Sequence, residues 1–339
     1  MAEPSRAADR AAHYGSDQNE RAGNNDESSG HNYLTDLSRC LFEQEPKGHA
    51  TGDINISVFF LQKQPDSRLW YIRPQELNKM ALSLSIVVPA YNEGPRLGKS
   101  LRAIVKYLNE YAPASELIVV DDGSTDDTAA TARAELSDSR NVHTSVISYQ
   151  SNLGKGRAVR LGLLASRSEI ALFTDADLST PITETPKLVD PILGGECDLA
   201  FGSRALDRSL IGVHQPWRRE QGGRVFNLAV RLATGLPFWD TQCGFKAFRM
   251  SACRPIIEGA TIDRFGFDVE LLYVAYRAGL RLKEIPVRWD HAEGSKVNVA
   301  SDSVKMLSEV GRIRQQARRG VYDRAIKGAE EQQRRNANC

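Results

Sequence analysis

From residue 83 onward, short unbroken apolar runs alternate with stretches whose apolar residues recur at helical spacing, and each run stops at a polar cluster. The runs are Leu84–Val88, Leu117–Val120, Ile170–Phe173 and Leu199–Phe201, and the more polar Asn141–Ser148 reads as a further strand, third in order. Between them Leu97, Leu101, Ile104, Val105 and Leu108 form one helical stripe, and Asp126–Leu136 and Gly154–Ser166 read as two further helices. Thr183–Leu193 is a weaker helix, interrupted by Pro186 and Pro191. Strands that are apolar without alternation are buried on both faces, which requires a mostly parallel sheet flanked by helices. The expectation is an α/β, Rossmann-like fold in one domain. In such sheets the ligand crevice lies at the carboxyl ends of the strands. Polar residues stand there in register: Glu93 after the first strand, Asp121 and Asp122 after the second, Asn152 after the third, Asp175 and Asp177 after the fourth, Arg204 after the fifth.

The patterned region spans residues 81–320. Residues 1–80 read as a poorly ordered extension: GSDQNERAGNNDESSGHN is almost free of apolar side chains and cannot offset the entropy of ordering. Either Met80 is the natural start or the segment is a genuine disordered tail. Residues 321–339 read as a polar C-terminal tail. A net charge of +1 gives no global field for nucleic acid, so anion binding has to be local. Five scattered cysteines without a CxxC pair suggest neither zinc nor a disulfide framework and fit a reducing cytoplasm. No apolar run reaches the roughly 18–20 residues of a spanning helix, so contact with a membrane would be peripheral. No feature speaks to self-assembly.

PAYNE (Pro89–Glu93) ends the first strand. Its Tyr91 suits stacking on a base or ribose and Glu93 suits accepting from a base edge or hydroxyl, or the segment is simply a solvated turn. In DDGSTDDT, Ser124, Thr125 or Asp126 can cap the following helix. Capping does not account for Asp121 and Asp122 directly after four apolar positions, and Asp122 is assigned to a uracil or ribose. NLGKGRAV, with Asn152 and Lys155, runs into a helix N-terminus, where free N–H groups attract anions. It matches neither a P-loop nor GxGxxG, and tight strand-to-helix packing explains it equally well.

TDADLST is the most telling segment. Asp175 and Asp177, on either side of Ala176, point the same way if the segment is extended, and two such carboxylates repel unless they share a cation. Oxygen ligands select a hard ion, Mg²⁺ or Mn²⁺, which typically bridges carboxylates and substrate phosphates. Arg204, Arg208, Arg218 and Arg219 offer guanidinium forks for phosphate, or solvate a mobile loop. In WDTQCGFKAF an acid, Asp240, sits with Lys246 among aromatics, as a site residue or in a structural ion pair. Asp268 and Glu270 open a helix at Phe267–Gly279, where the dipole alone accounts for them. Lys296 in HAEGSKV is placed to capture a phosphate, and His291 is read as structural. Ser301–Arg319 is a basic amphipathic helix, either lying on anionic lipid or packed on the domain with a wet basic side; the second is favoured.

Taken in order, PAYNE, DDGSTDDT, NLGKGRAV, TDADLST, FGSR, DTQCGFK, FDVELLY and EGSK resemble the inverting family 2 glycosyltransferases of the GT-A fold. The similarity covers about residues 83–315 and is greatest to dolichyl-phosphate β-glucosyltransferases and related polyprenyl-phosphate glycosyltransferases. The resemblance implies that Pro89, Tyr91, Glu93 and Asp122 contact the nucleotide and that Asp175 and Asp177 hold metal and diphosphate. It further implies that Arg204, one of Arg218 and Arg219, and Lys296 face the donor or acceptor phosphates, and that Asp240 lies beside the reacting centre. Those eukaryotic relatives carry a membrane-spanning segment before the first strand, which finds no counterpart here, so the lipid acceptor is less secure than the nucleotide-sugar donor. The sugar is glucose by similarity alone. A hydroxyl acceptor and a non-catalytic nucleotide-sugar-binding module are the rival readings.

Overall fold

The computed structural model describes residues 62–63, 70–71, 83–139, 141–213, 217–291 and 299–337. The readings of the polar stretch at 15–32 and of Met80 as a start lie outside the described residues. A two-residue antiparallel pair, β1 (Gln62–Lys63) with β2 (Trp70–Tyr71), precedes the main sheet. The sheet has seven strands: β3 (Leu84–Ala90), β4 (Glu116–Asp121), β5 (His143–Ser148), β6 (Ile170–Thr174), β7 (Leu199–Ser203), β9 (Phe245–Arg249) and β10 (Leu282–Pro286). A short parallel pair, β8 (Ile211–Val213) with β11 (Trp289–Asp290), stands apart. The strand order is β10-β7-β9-β6-β3-β4-β5, and only β9 runs antiparallel to its neighbours.

All seven residues of β3 are buried, as an unbroken apolar run requires. They alternate between two cores: Leu84, Ile86 and Val88 enter one cluster and Val87 the other. Helices α1 (Gly94–Tyr111), α2 (Thr128–Leu136) and α4 (Thr185–Leu193) cover the first, with Leu97, Leu101, Ile104 and Leu108 fully buried. Helices α3 (Lys155–Ala165), α6 (Met250–Gly259) and α7 (Phe267–Arg277) cover the second, together with α5 (Trp217–Thr234), α8 (Val299–Arg318) and α9 (Asp323–Ala337). The two prolines of α4 leave it intact. A 3-10 turn at Ile182–Glu184 leads in, Pro186 occupies the first turn, where no intrahelical N–H partner is lost, and Pro191 lies near the end.

The reading of residues 321–339 as a polar tail is corrected. Asp323–Ala337 is a helix packed on α6, with Gly259 so close that a Cβ there would meet Ala325 at 2.6 Å, and Tyr322, Ala325 and Ala329 are buried. Small residues make this contact, so no large apolar stripe announces it. α8 turns Val310, Ile313 and Ala317 into the core and leaves Arg312 and Arg314 exposed, which is the packed alternative for the basic helix.

The antiparallel strand β9 decides the layout of the site. It lies between β6 and β7, so its amino end arrives where those strands finish. The Trp239–Gly244 loop feeding it is therefore held between the acidic turn after β6 and Arg204 after β7.

Candidate active site

Two clefts open at the carboxyl edge of the sheet. The first, about 390 Å³, is lined by the ends of β3, β4 and β6 and the start of α3. It brings together Pro89, Tyr91, Glu93, Asp122, Asn152 and Lys155, and also Asp175, Ala176 and Asp177. The second, about 480 Å³, contains Arg204, Asp240 and Arg208, walled by α5 and Trp289.

In the first cleft the turns after β3 and β4 are latched together. Asn92, at φ 54°, donates its N–H to Ser124 Oγ (2.8 Å) and accepts from the Thr125 N–H (2.8 Å). The Glu93 N–H donates to Thr128 Oγ1 (2.7 Å). Ser124, Thr125 and Thr128 thus fix the neighbouring turn, and of the three capping candidates Asp126 accepts from the first N–H of α2, that of Thr128 (3.0 Å). Tyr91 remains more than a third exposed in the cleft. The Glu93 carboxylate pairs with Arg96 (2.8 Å), whose guanidinium also comes within 4.0 Å of Asp177.

Asp122 is buried and accepts from Tyr149 OH (2.7 Å), Asn152 Nδ2 (2.9 Å), Leu153 N–H (2.8 Å) and Gly154 N–H (3.0 Å). Its carboxylate therefore shapes the Asn152–Gly154 loop. Burial, reinforced by bonding to Asp122, pushes the Tyr149 phenol well above its ordinary range, so it stays a donor. Gly154, at φ 112°, lets the loop pass Asp263, whose carbonyl oxygen would lie 2.4 Å from a Cβ.

Asp175 and Asp177 both face the cleft, but not through the pleat of a strand. β6 stops at Thr174, and a turn closed by Leu178 N–H to the Asp175 carbonyl (3.0 Å), with Leu178 at φ 49°, aims both carboxylates. Asp177 Oδ1 accepts from the Ser179 N–H (3.0 Å), and Asp175 Oδ1 lies 2.5 Å from Lys155 Nζ. Gly244 packs against Asp175 so tightly that a Cβ would meet its carboxylate at 2.2 Å. Among the described residues no group of three or more His, Cys, Asp or Glu could hold a metal ion. The donor set of two carboxylates in an open cleft fits a hard divalent cation whose remaining positions are filled by substrate phosphate and water.

Behind this turn runs a row of buried charge that the sequence motifs conceal. Lys246, wholly buried on β9, bonds Asp268 on α7 (2.6 Å) and the Cys243 carbonyl (2.6 Å). Desolvation raises the Asp268 carboxyl above its usual range against the pull of Lys246 and Lys155. For Lys155 desolvation works the other way, yet Asp175 and Asp268 outweigh it and raise the ammonium. Asp268 and Glu270 are thus more than dipole partners: Glu270, fully buried, accepts from the N–H groups of Thr261 (2.9 Å) and Ile262 (2.9 Å) and from Tyr322 OH (2.6 Å). That anchors the loop carrying Arg264 and Phe265, two cleft residues with no sequence signal.

In the second cleft Arg204 grips Asp240 with a two-pronged fork, Nε to Oδ2 at 2.7 Å and Nη2 to Oδ1 at 2.8 Å, while its own N–H donates to Oδ2 (3.0 Å). Asp240 is buried; desolvation would raise its carboxyl, but Arg204 holds it below the ordinary carboxylate range. Glu284 on β10 fixes the loop by accepting from the N–H groups of Trp239 (2.9 Å) and Asp240 (2.8 Å). Arg204 also lies over Trp289 (5.6 Å) and senses the charge of Asp175, which joins the two clefts electrostatically. The side chains of Arg218 and Arg219, and Lys296 altogether, lie outside the described residues.

The family description "Glycosyl transferase family 2" matches residues 85–256, a span that includes both acidic turns, Arg204 and Asp240. The chain belongs to glycosyltransferase family 2. Its relatives within the family include dolichyl-phosphate beta-glucosyltransferases from Dictyostelium discoideum, 32% identical over 70% of this chain and 76% of that one, and from Saccharomyces cerevisiae, 33% identical with the same coverage. The human protein of that name is 35% identical over 63% of this chain and 69% of its own. In fold, this family 2 glycosyltransferase is similar to glucosyl-3-phosphoglycerate synthase from Mycobacterium tuberculosis. The TM-score is 0.53 at 21% identity, covering 78% of this chain and 87% of that structure, which was crystallised with Mn²⁺, UDP-glucose and phosphoglyceric acid. The mostly parallel sheet expected from the apolar runs is thus the GT-A sheet.

Proposed function

We propose that this glycosyltransferase moves glucose from UDP-glucose, with inversion, to the phosphate of a dolichyl or related polyprenyl lipid at a membrane surface. The donor lies in the first cleft and the lipid phosphate in the second. The observation that carries the reading is the Arg204–Asp240 pair, a cation fixed beside the acidic turn but opening into a separate cleft with Arg208, Arg224 and Arg231. Glu220 in the same cleft pairs with Arg208 and Arg224, but the four arginines outnumber the two acids, Glu220 and Asp240, which suits an acceptor bearing negative charge. The names of the dolichyl-phosphate relatives support the same acceptor.

In this reading Tyr91 stacks on the nucleoside, and the Asn152–Gly154 loop shaped by Asp122 borders it. Asp175 and Asp177 would hold Mg²⁺ or Mn²⁺ with the donor diphosphate; when bound, the ion neutralises charge on the departing nucleoside diphosphate. Arg204 draws in the acceptor phosphate and screens it from the donor. A phosphate monoester, with a second pKa of about 6, is already ionised near neutrality, so no strong base is needed. Asp240 suits that chemistry: both its oxygens are engaged and its carboxyl is held acidic, so it positions Arg204 and is a poor proton acceptor.

Membrane contact fits α5, which exposes Val225, Leu228 and Leu232 beside Trp239, with Arg224 and Arg231 on the same wall. Among the described residues no helix is long and apolar enough to cross a membrane. Cys197, Cys243 and Cys253 are free and buried, which suits the reducing, cytoplasmic side. The test is a panel of UDP- and GDP-sugars with Mg²⁺ or Mn²⁺ and polyprenyl phosphate, scored as label entering the organic phase. UDP-glucose should label the lipid; label that reaches only hydroxyl acceptors would overturn the acceptor assignment.

A further inference from the structure

We propose that Lys155 serves as a resident cation for Asp175, surrendering that carboxylate when a divalent ion arrives and transferring to the donor diphosphate. The inference rests on the reading above that metal and diphosphate meet at Asp175 and Asp177.

Three observations carry it. Lys155 Nζ lies 2.5 Å from Asp175 Oδ1, so the ammonium occupies an oxygen that a metal would need. The next carboxylate inward, Asp268, is already bonded to Lys246 at 2.6 Å, and Lys246 is fully enclosed. A Lys155 displaced from Asp175 therefore meets behind it a carboxylate already neutralised by Lys246. The cleft it already lines together with Tyr91 and Asp177 is open to it. Lys155 is also the first residue of α3, and its four-carbon stem lets the charge move without moving the helix. Gly244 closes the far side of Asp175, leaving no space for the carboxylate to swing away from both cations.

The consequence is ordered loading. Without nucleotide, Mn²⁺ competes with Lys155 for Asp175 and binds weakly. With nucleotide, the diphosphate accepts Lys155 and the ion takes the carboxylate, so each promotes the other, as linkage requires.

The experiment titrates Mn²⁺ into metal-free full-length protein, following free Mn²⁺ by electron paramagnetic resonance, with and without UDP. The variants are Lys155→Met, Lys155→Arg and Asp175→Asn. Lys155→Met should bind Mn²⁺ about tenfold more tightly than the natural chain when UDP is absent, and UDP about tenfold more weakly when Mn²⁺ saturates, within the span usual for coupled sites. Lys155→Arg keeps the charge and should stay within about twofold of the natural chain in Mn²⁺ affinity, separating a lost charge from a damaged helix start. Equal or weaker Mn²⁺ binding by Lys155→Met, or unchanged UDP binding, overturns the exchange alone. Undiminished Mn²⁺ binding by Asp175→Asn overturns the metal reading itself and this inference with it.

Discussion

Replacing Asp240 with Asn keeps its shape but removes the charge that Arg204 embraces. The carboxylate is 2% exposed, and it receives two fork bonds at 2.7 and 2.8 Å plus the N–H groups of Arg204 (3.0 Å) and Gln242 (3.2 Å). Breaking a buried pair from one side costs about 3–5 kcal/mol; the Arg204 side chain, 29% exposed, recovers some hydration, which brings the expectation to about 2–4 kcal/mol. For a domain of this size that is roughly 5–15 °C in Tm. Arg204→Met should cost a similar amount, because it strands Asp240. The double variant should be no less stable than the worse single one, a coupling of about 2 kcal/mol within the usual range for residues in contact. In turnover, each single variant loses a charge-assisted contact of about 1.5–3 kcal/mol to the lipid phosphate, which is roughly 10- to 100-fold in kcat/KM for that substrate. The affinity for UDP should hardly move. Melting curves and steady-state kinetics on the four proteins of the cycle make the measurement. Additive destabilisation, or a parallel collapse of UDP binding, would refute the account of Arg204 as an acceptor-side cation positioned by Asp240.

Two further outcomes follow from the same geometry. Gly244→Ala forces a methyl to within 2.2–2.5 Å of the Asp175 carboxylate; it should cost only about 1–2 kcal/mol of stability, since that side chain is partly exposed, yet abolish Mn²⁺-dependent UDP binding, and normal binding by calorimetry would count against the site. Asp198, at the foot of β7, is one where burial raises the carboxyl but bonds from Arg281 (Nη2 2.7 Å, N–H 3.0 Å) prevail and lower it. Its folded pKa lies below the unfolded value of about 3.9, so its contribution is complete above that pH and vanishes as pH falls through the folded value. The urea midpoint of Asp198→Asn should therefore trail the natural chain at pH 6 by a gap that narrows as pH falls below the unfolded value; a constant gap would contradict it.

The central strands were legible because burial on both faces leaves an unbroken apolar run: Leu117–Val120 was expected and Glu116–Asp121 is observed. β9 is hard to see in the sequence because it carries Lys246, whose buried charge is balanced by Asp268, 22 residues further on. β10 escaped because an edge strand with Lys283 and Glu284 resembles a loop. At the site, the residue types at the strand ends pointed to the carboxyl edge of the sheet, and the candidates Pro89, Tyr91, Glu93, Asp122, Asn152, Lys155, Asp175 and Asp177 line one cleft there. Their geometry was not legible. Asp175 and Asp177 converge through a turn with a left-handed Leu178, and Asp122 spends its acceptors on its own loop. Arg264 and Phe265 are brought to the cleft by Glu270 and Tyr322, a long-range contact that no local motif encodes.

The proposed chemistry requires a divalent ion shared by the acidic turn after β6 and the donor's diphosphate. Crystals grown with UDP and Mn²⁺, measured at the manganese absorption edge, address that most directly. An anomalous peak within coordination distance of Asp175, Asp177 and the diphosphate, about 2.0–2.3 Å from each oxygen, is the predicted result. UDP bound in the cleft with no peak there, or a peak held by other residues, would contradict it.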